Sequence, residues 1–239
     1  MLEKTCWSAR ALMNKKIIVF APHPDDETFG CGGTIAKKVS EGYEVFVVIL
    51  TDGRNAFSNV LNIKSNPSPE EIKYIRKEEI TKAMSVLGLP AANLFCWEFE
   101  DGRLAAHEKE AKEKTFGILE KFPPAEVYYP IERDGHPDHQ ATNRILRCCL
   151  NKRGLTPIKY QYSVLHKFRR FGPRIERLLD IYNDCIVDVD ISDYLGVKKE
   201  ACNMFKSEIT IISNEQKRPI VEGITGFLRS KERFYIDKS

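Results

Sequence analysis

Three of the chain's five histidines fall in two short stretches rich in aspartate, His23-Pro24-Asp25-Asp26-Glu27 and His136-Pro137-Asp138-His139. Imidazole and carboxylate are the side chains that bind divalent cations and move protons near neutral pH. His23 and Asp26 stand three positions apart in a turn, so both can converge on one ion, and His139, at the start of the next helix, offers a third ligand. Two nitrogens and one oxygen suit Zn²⁺ and leave a fourth position for water, while Fe²⁺ accepts the same set. Zinc lowers the pKa of bound water to about 7. Asp25, beside a ligand and with its own carboxylate free, is placed to take that water's proton. His136, if protonated, is placed to stabilise a developing oxyanion or to hand a proton to a leaving amine. Asp138 is placed to hydrogen-bond a neighbouring imidazole and hold its charge state. Glu27 reads equally as support behind the ligands or as a helix-start carboxylate. A single His-Pro-Asp turn is ordinarily only a turn, with Pro fixing φ and Asp capping the next few residues. Two such clusters, each coming after a strand, point to a hydrolytic metal site.

The clusters are widely separated in the chain, so a scaffold must bring them together. Ile17–Phe20 reads as a short strand, followed by a helical stretch that starts near Phe29, runs to about Ser40 and stops at Gly42. Val45–Leu50 is apolar on both faces, as in a parallel sheet covered on both sides. Ser68-Pro69-Glu70-Glu71 combines a Ser cap, Pro in the first turn and Glu three after the cap, and so opens a helix that Gly88 and Pro90 close. Leu94–Trp97, Val127–Tyr129, Ile158–Leu165 and Cys185–Val189 read as further strands. Leu104–Lys121, Pro137–Lys152 (with Gly154 as its stop) and Val197–Ser207 read as helices. Alternation of this kind predicts an α/β fold with a mostly parallel sheet and helices on both faces. Such sheets carry their sites at the carboxyl ends of the strands, where both clusters fall.

Composition bounds the rest. The 239 residues are 42% hydrophobic and 30% charged, an ordinary globular balance that argues against disorder and fibres. Thirty-seven Lys plus Arg against 34 Asp plus Glu leave a net +3 without a polybasic block, so no nucleic-acid partner is expected. The longest apolar run, Val45–Leu50, is far short of the ~20 residues of a membrane helix, and no secretory signal is visible. The expected location is the cytoplasm. Seven cysteines without a C-x-x-C pair read as reduced packing residues, Cys148 and Cys149 among them. Nothing divides the chain, so residues 1–239 are expected to form a single domain, whose oligomeric state, homo-oligomer included, the sequence leaves open.

Pro22 through Glu27 and His136 through His139 match the two signatures of the LmbE/PIG-L-type zinc-dependent N-deacetylases, and the chain resembles that family over most of its length. Supporting matches are Gly30-Cys31-Gly32-Gly33-Thr34, Thr51-Asp52-Gly53, Arg76…Glu79…Ala83…Leu87-Gly88, Asp101-Gly102 and Lys198…Ala201…Phe205-Lys206-Ser207-Glu208, the last with Glu208 where the family commonly has Gln. The resemblance implies a Rossmann-like sheet with the first and fourth strands adjacent. It implies His23, Asp26 and His139 as zinc ligands, Asp25 as general base and His136 as electrostatic partner. It implies removal of acetate from an N-acetylglucosamine-type sugar, as in the family's work on phosphatidylinositol glycolipids and on mycothiol and bacillithiol intermediates. Family members often carry Tyr two residues before the position of His136. Here that place is Asp134, beside Arg133.

Arg54, just past the second strand, and Asp101, past the third, sit where a substrate would be gripped. The resemblance marks both as sugar-binding candidates, Arg54 for an anionic aglycone and Asp101 for ring hydroxyls, and Arg133 joins them. Asn55–Pro67 is an irregular connection of roughly 13 residues containing Phe57, long enough to be a functional loop, and is expected to help cover the sugar. His166 ends a strand and reads more readily as structural than as a pocket residue, and His107 as a solvated helix residue. Two other functions compete with a deacetylase. A nucleotide-binding module is weakened because Ile35 stands where a third glycine is needed and no P-loop Lys comes after it. A non-catalytic metal- or sugar-binding protein would have no use for Asp25 and His136.

Overall fold

The computed structural model describes residues 15–152, 155–164 and 186–238. Seven strands, β1 (Lys16–Ala21), β2 (Glu44–Thr51), β3 (Leu94–Phe99), β4 (Glu126–Pro130), β5 (Ile158–Tyr162), β6 (Ile186–Asp190) and β7 (Lys231–Ile236), form one sheet in the order β3-β2-β1-β4-β5-β7-β6. The first five run parallel, and β7 pairs antiparallel with both β5 and β6. Among the described residues the α-helices are α1 (Asp26–Ser40), α2 (Pro69–Val86), α3 (Glu108–Lys121), α4 (Pro137–Lys152), α5 (Leu195–Cys202) and the single turn α6 (Lys206–Ile209).

Strand periodicity sends alternate residues into two cores. Ile17, Val19 and Ala21 of β1 and Val45, Val47 and Ile49 of β2 pack under α1, α2 and α5. Ile18 and Phe20, with Phe46, Val48 and Leu50, pack under α3 and α4. With both faces buried, neither strand needs a polar side, which is why each reads as a continuous apolar run. Gly33 lets α1 lie against the segment after β6: a Cβ there would stand 2.3 Å from Ile191 Cδ1. Ser68 caps α2 as expected, its hydroxyl accepting from the Glu71 N–H while the Glu71 carboxylate accepts the Ser68 N–H in return.

Several expectations are corrected. α1 begins at Asp26, not near Phe29. Residues 104–121 divide into a 3₁₀ turn, Leu104–His107, and α3. The late helix is interrupted between Cys202 and Lys206. β7 was not anticipated at all, because its inward face carries a charge, Glu232, beside Phe234. That charge is paired inside the protein: Glu232 accepts from Lys198 Nζ and from the N–H groups of Gly33 and Thr34. Gly154, Leu165, His166 and Cys185 lie outside the described residues. Among the described residues no helix is long and apolar enough to cross a membrane.

The topology decides where chemistry can occur. From β1 the chain moves to β2 on one side, and β4 joins β1 on the other. The connections leaving β1 and β4 therefore diverge to opposite sides, opening a crevice at their carboxyl ends. Both histidine clusters emerge there.

Candidate metal centre and active site

The first cluster leaves β1 through Pro22, whose carbonyl accepts both the N–H and the hydroxyl of Thr51 at 2.8 Å, tying the loop to β2. The loop closes at Asp25, whose φ of 132° is unfavourable for any residue with a Cβ. Three hydrogen bonds hold it. The carbonyl of Asp25 accepts from the N–H groups of Thr28 and Phe29, starting α1, and its own N–H donates to Glu27 Oε2 at 3.1 Å. The Asp25 side chain makes no capping bond and is left for other work. The second cluster leaves β4 through Ile131–Gly135, and Pro137 opens α4, a position where its missing N–H costs nothing.

The two clusters meet on one oxygen. Asp26 Oδ2 stands 3.0 Å from His23 Nδ1 and 3.1 Å from His139 Nε2, and the two rings lie 5.3 Å apart. Donors bonded at ~2.0–2.1 Å to a tetrahedral ion stand about 3.3 Å apart, and the His23–Asp26 and Asp26–His139 pairs are each close to that spacing. The remaining nitrogens also have carboxylate partners: His23 Nε2 lies 3.1 Å from Asp101 Oδ1 and 3.3 Å from Asp138 Oδ2, and His139 Nδ1 lies 3.1 Å from Asp134 Oδ2. Metal-bound imidazoles ordinarily have such partners. Among the described residues, the groups of three whose donor atoms all lie within 4.8 Å of one another are His23, His136 and His139, and His23, Asp101 and Asp138. In the latter set both carboxylates already accept backbone N–H groups, from Asn55, Gly102 and Leu104.

Burial and charge set the proton affinities. Burial alone would lower the pKa of both His23 and His139, but the carboxylates outweigh it. Asp101, Asp138 and Asp26 hold His23 well above its usual value, and Asp26 with Asp134 lifts His139 to about 9. In turn these imidazoles overcome the burial of Asp26 and pull its carboxyl well below the usual range. Burial raises Asp25 well above that range. Arg76 opposes the rise, and Glu208, Asp26 and Glu27 add to it. Burial also lifts Glu27 to about 7. His136 is driven down to about 4 by burial and by the neighbouring His23 and His139. Its ring stands edge-on to His23 at 4.6 Å, and its Nδ1 accepts the Asp138 N–H at 3.2 Å, so the ring proton sits on Nε2. The protonated His136 considered from the sequence is thus replaced by a neutral ring with one N–H to give.

Other expected residues have these neighbours. Asp101 has one carboxylate oxygen near His23 and the other accepting the Asn55 N–H. Arg54 is occupied by Asp52 and Glu70. Arg133 stands over the Tyr235 ring at 5.2 Å, on a groove of about 470 Å³ that Ile131, Gln161 and Asp237 also line. Phe57, which opens a π-helical turn, Phe57–Leu61, is buried with Ile63 and Ile72 and anchors its loop. His107 is exposed beside Phe99.

Arg76, quoted above only as one of the supporting matches, was given no role there. It is buried on α2, its Nη2 3.0 Å from Asp25 Oδ2 and its Nη1 2.8 Å from Glu208 Oε1. A signal was present, since Arg76 falls midway between Ile72 and Ile80 on the helix's apolar stripe, where a charge demands a buried partner. Asp134, fully buried against His139, was noted only as a departure from the family's Tyr.

The mostly parallel sheet, with a cluster of imidazoles and carboxylates in the crevice at its centre, places the protein among the α/β folds. The family described as PIG-L, GlcNAc-PI de-N-acetylase, matches residues 18–150, and the chain belongs to that family. Among curated proteins it is 30% identical over 129 residues to a diacetylchitobiose deacetylase of Thermococcus kodakarensis, covering 53% of this chain and 45% of that one. It is 32% identical over 139 residues to a probable N-acetyl-alpha-D-glucosaminyl L-malate deacetylase 2 of Bacillus cereus, covering 55% of this chain and 59% of that one. The aligned region thus spans about half the length of these relatives. The fold matches that of N,N'-diacetylchitobiose deacetylase from Pyrococcus horikoshii with a TM-score of 0.69 at 23% identity, over 99% of this chain and 93% of that one.

Proposed function

We propose that this chain, as one deacetylase domain, removes the acetyl group from an N-acetylglucosamine-type amino sugar in a small conjugate, releasing acetate and a free amine. His23, Asp26 and His139 would hold the divalent cation. Two imidazoles and a carboxylate favour Zn²⁺, with Fe²⁺ second. When bound, such an ion supplies Lewis acidity and a water whose pKa falls to about 7.

The protein's own groups handle the protons. Asp25 takes a proton from the attacking water as its oxygen bonds to the acetyl carbon, and returns that proton to nitrogen as the C–N bond breaks. A carboxyl held well above its usual range by burial suits both transfers, since it keeps the proton long enough to give it back. His136 donates its Nε2–H to the carbonyl oxygen as negative charge develops there. Arg76 and Glu27 keep Asp25 in place, one through its carboxylate and the other through its backbone N–H.

The reading is carried by the meeting of His23 Nδ1 and His139 Nε2 on Asp26 Oδ2, with Asp25 next in sequence and His136 packed on His23. The relatives that bear deacetylase names support the reaction type. The test is acetate and amine release from a panel of N-acetylglucosaminides differing in aglycone. Release in equal amounts, abolished by a chelator and restored by Zn²⁺, is expected. A Zn²⁺-loaded protein that frees neither product from any member of the panel overturns the proposal.

A further inference from the structure

The backbone at Asp25, with φ at 132°, is a conformation that persists only where its surroundings over-determine it. The Asp25 side chain makes no cap for α1, so the helix start is not secured from there. Its carbonyl accepts from the N–H groups of Thr28 and Phe29 at 3.0 and 2.8 Å, so whatever fixes the first two turns of α1 also fixes Asp25. The hold comes from two buried charges far along the chain, Lys198 of α5 and Glu232 of β7, paired Nζ to Oε1. Lys198 Nζ also donates to the Phe29 carbonyl at 3.1 Å, and Glu232 accepts the Gly33 N–H on Oε1 at 2.9 Å and the Thr34 N–H on Oε2 at 2.7 Å. In an uninterrupted α-helix the Phe29 carbonyl and the Gly33 N–H are bonded to each other. Here the ion pair grips both ends of that rung. Phe29 joins the grip to the turn, its N–H going to Asp25 and its carbonyl to Lys198.

A buried ion pair adds little net stability over apolar residues of similar volume, so stability alone does not account for placing one against a helix. What the pair supplies is direction, because each charge bonds to particular backbone groups of α1, and a shifted helix would leave a buried charge without them. We propose that Lys198 and Glu232 are positioning residues that hold the strained turn at Asp25 in place for proton transfer. The inference rests on the deacetylase reading above and extends it to two residues that had no part in it. Without the pair, Phe29 and Gly33 can bond each other as in any helix, so α1 survives while the turn before it is free to relax toward an ordinary φ. Asp25 would then keep its carboxylate and lose its placement.

Two measurements test it. The double variant Lys198→Met with Glu232→Gln removes both charges together, so neither is left buried alone. With Zn²⁺ present, its kcat for acetate release should fall about 10–100-fold while KM stays near the wild-type value, since misplacing a reacting group slows the chemical step without weakening sugar binding. A purely structural pair would instead lower thermal stability and leave kcat per folded molecule unchanged. That result overturns the inference and leaves the deacetylase reading standing. The second measurement is amide hydrogen exchange in the unaltered chain, which decides the matter even where the double variant fails to fold. Thr28 and Phe29 should exchange at rates matching Gly33 and Thr34, as one cooperative unit. Fast exchange at Thr28 and Phe29 beside protected Gly33 and Thr34 means a turn that moves without the ion pair, and it overturns the inference as well. A wild-type protein that frees no acetate removes the deacetylase reading, and the role in proton transfer with it.

Discussion

Replacing Asp25 with Asn separates catalysis from construction. The substitution preserves shape, and the amide oxygen can still accept from Arg76 Nη2, which stands 3.0 Å from Asp25 Oδ2. Arg76 also keeps its second partner, Glu208, at 2.8 Å. Burial and three neighbouring carboxylates already disfavour a charge on Asp25, so removing that charge relieves the native state. Asn carries the same kind of short polar side chain as Asp, so the backbone at φ 132° is no harder for it to hold. Unfolding stability should therefore stay level or rise. Turnover should fall about 10²–10⁴-fold, the usual share of a positioned proton acceptor, which is roughly 2.7–5.4 kcal/mol on the barrier. The assay is acetate release at saturating substrate, alongside metal content by mass spectrometry and thermal unfolding of the same preparation. Metal content should not change, because Asp25 is not among the proposed ligands. An Asp25→Asn protein that keeps more than about a tenth of wild-type turnover, or that loses metal in step with activity, refutes the assignment.

Arg76→Met should cost about 3–5 kcal/mol by urea titration, since it leaves Asp25 and Glu208 buried without their cation. Adding Glu208→Gln should recover part of that loss, and a strictly additive double variant would argue against the pairing. Gly33→Ala should cost about 1–3 kcal/mol, because the new methyl would stand 2.3 Å from Ile191 Cδ1, and trimming Ile191 to Ala should restore some of it. In chelator-treated protein, His139 is lifted from its ordinary 6.5 to about 9, and His23 moves in the same direction. A group whose pKa is raised on folding gives its full stabilisation below the unfolded value and loses it as pH climbs through the folded one. The melting temperature of the chelated protein should therefore drop between pH 6.5 and about 9, and a flat or rising profile in scanning calorimetry would contradict the cluster's electrostatics.

Where the residues obey a short period, the sequence was readable. β1 and β2 announce themselves as apolar runs, and the Ser68–Glu71 box marks the start of α2 to the residue. β7 escaped because Glu232 points inward and its partner, Lys198, comes from a distant helix. Arg76 escaped for a similar reason, since its meaning depends on Asp25 and Glu208, which approach it from the loop after β1 and from α6. Asp101 and Arg54 were assigned by their places after strands. Their neighbours depend on which loops share the crevice, and Asp101 meets His23 whereas Arg54 meets Asp52 and Glu70.

By itself, the sequence determined which groups could bind a cation and move a proton, because the side chains of His23, Asp25, Asp26, His136 and His139 carry that chemistry wherever the chain puts them. It also determined that each cluster comes after a strand, because strand and turn propensities act over a few residues. Only the tertiary structure decided that Asp26 receives both imidazoles, which ring nitrogen each of them turns to it, and that His136 is neutral. Those outcomes depend on distances of a few ångströms between side chains far apart in sequence and on how completely water is excluded from around them. Both quantities come into being only when β4 pairs beside β1.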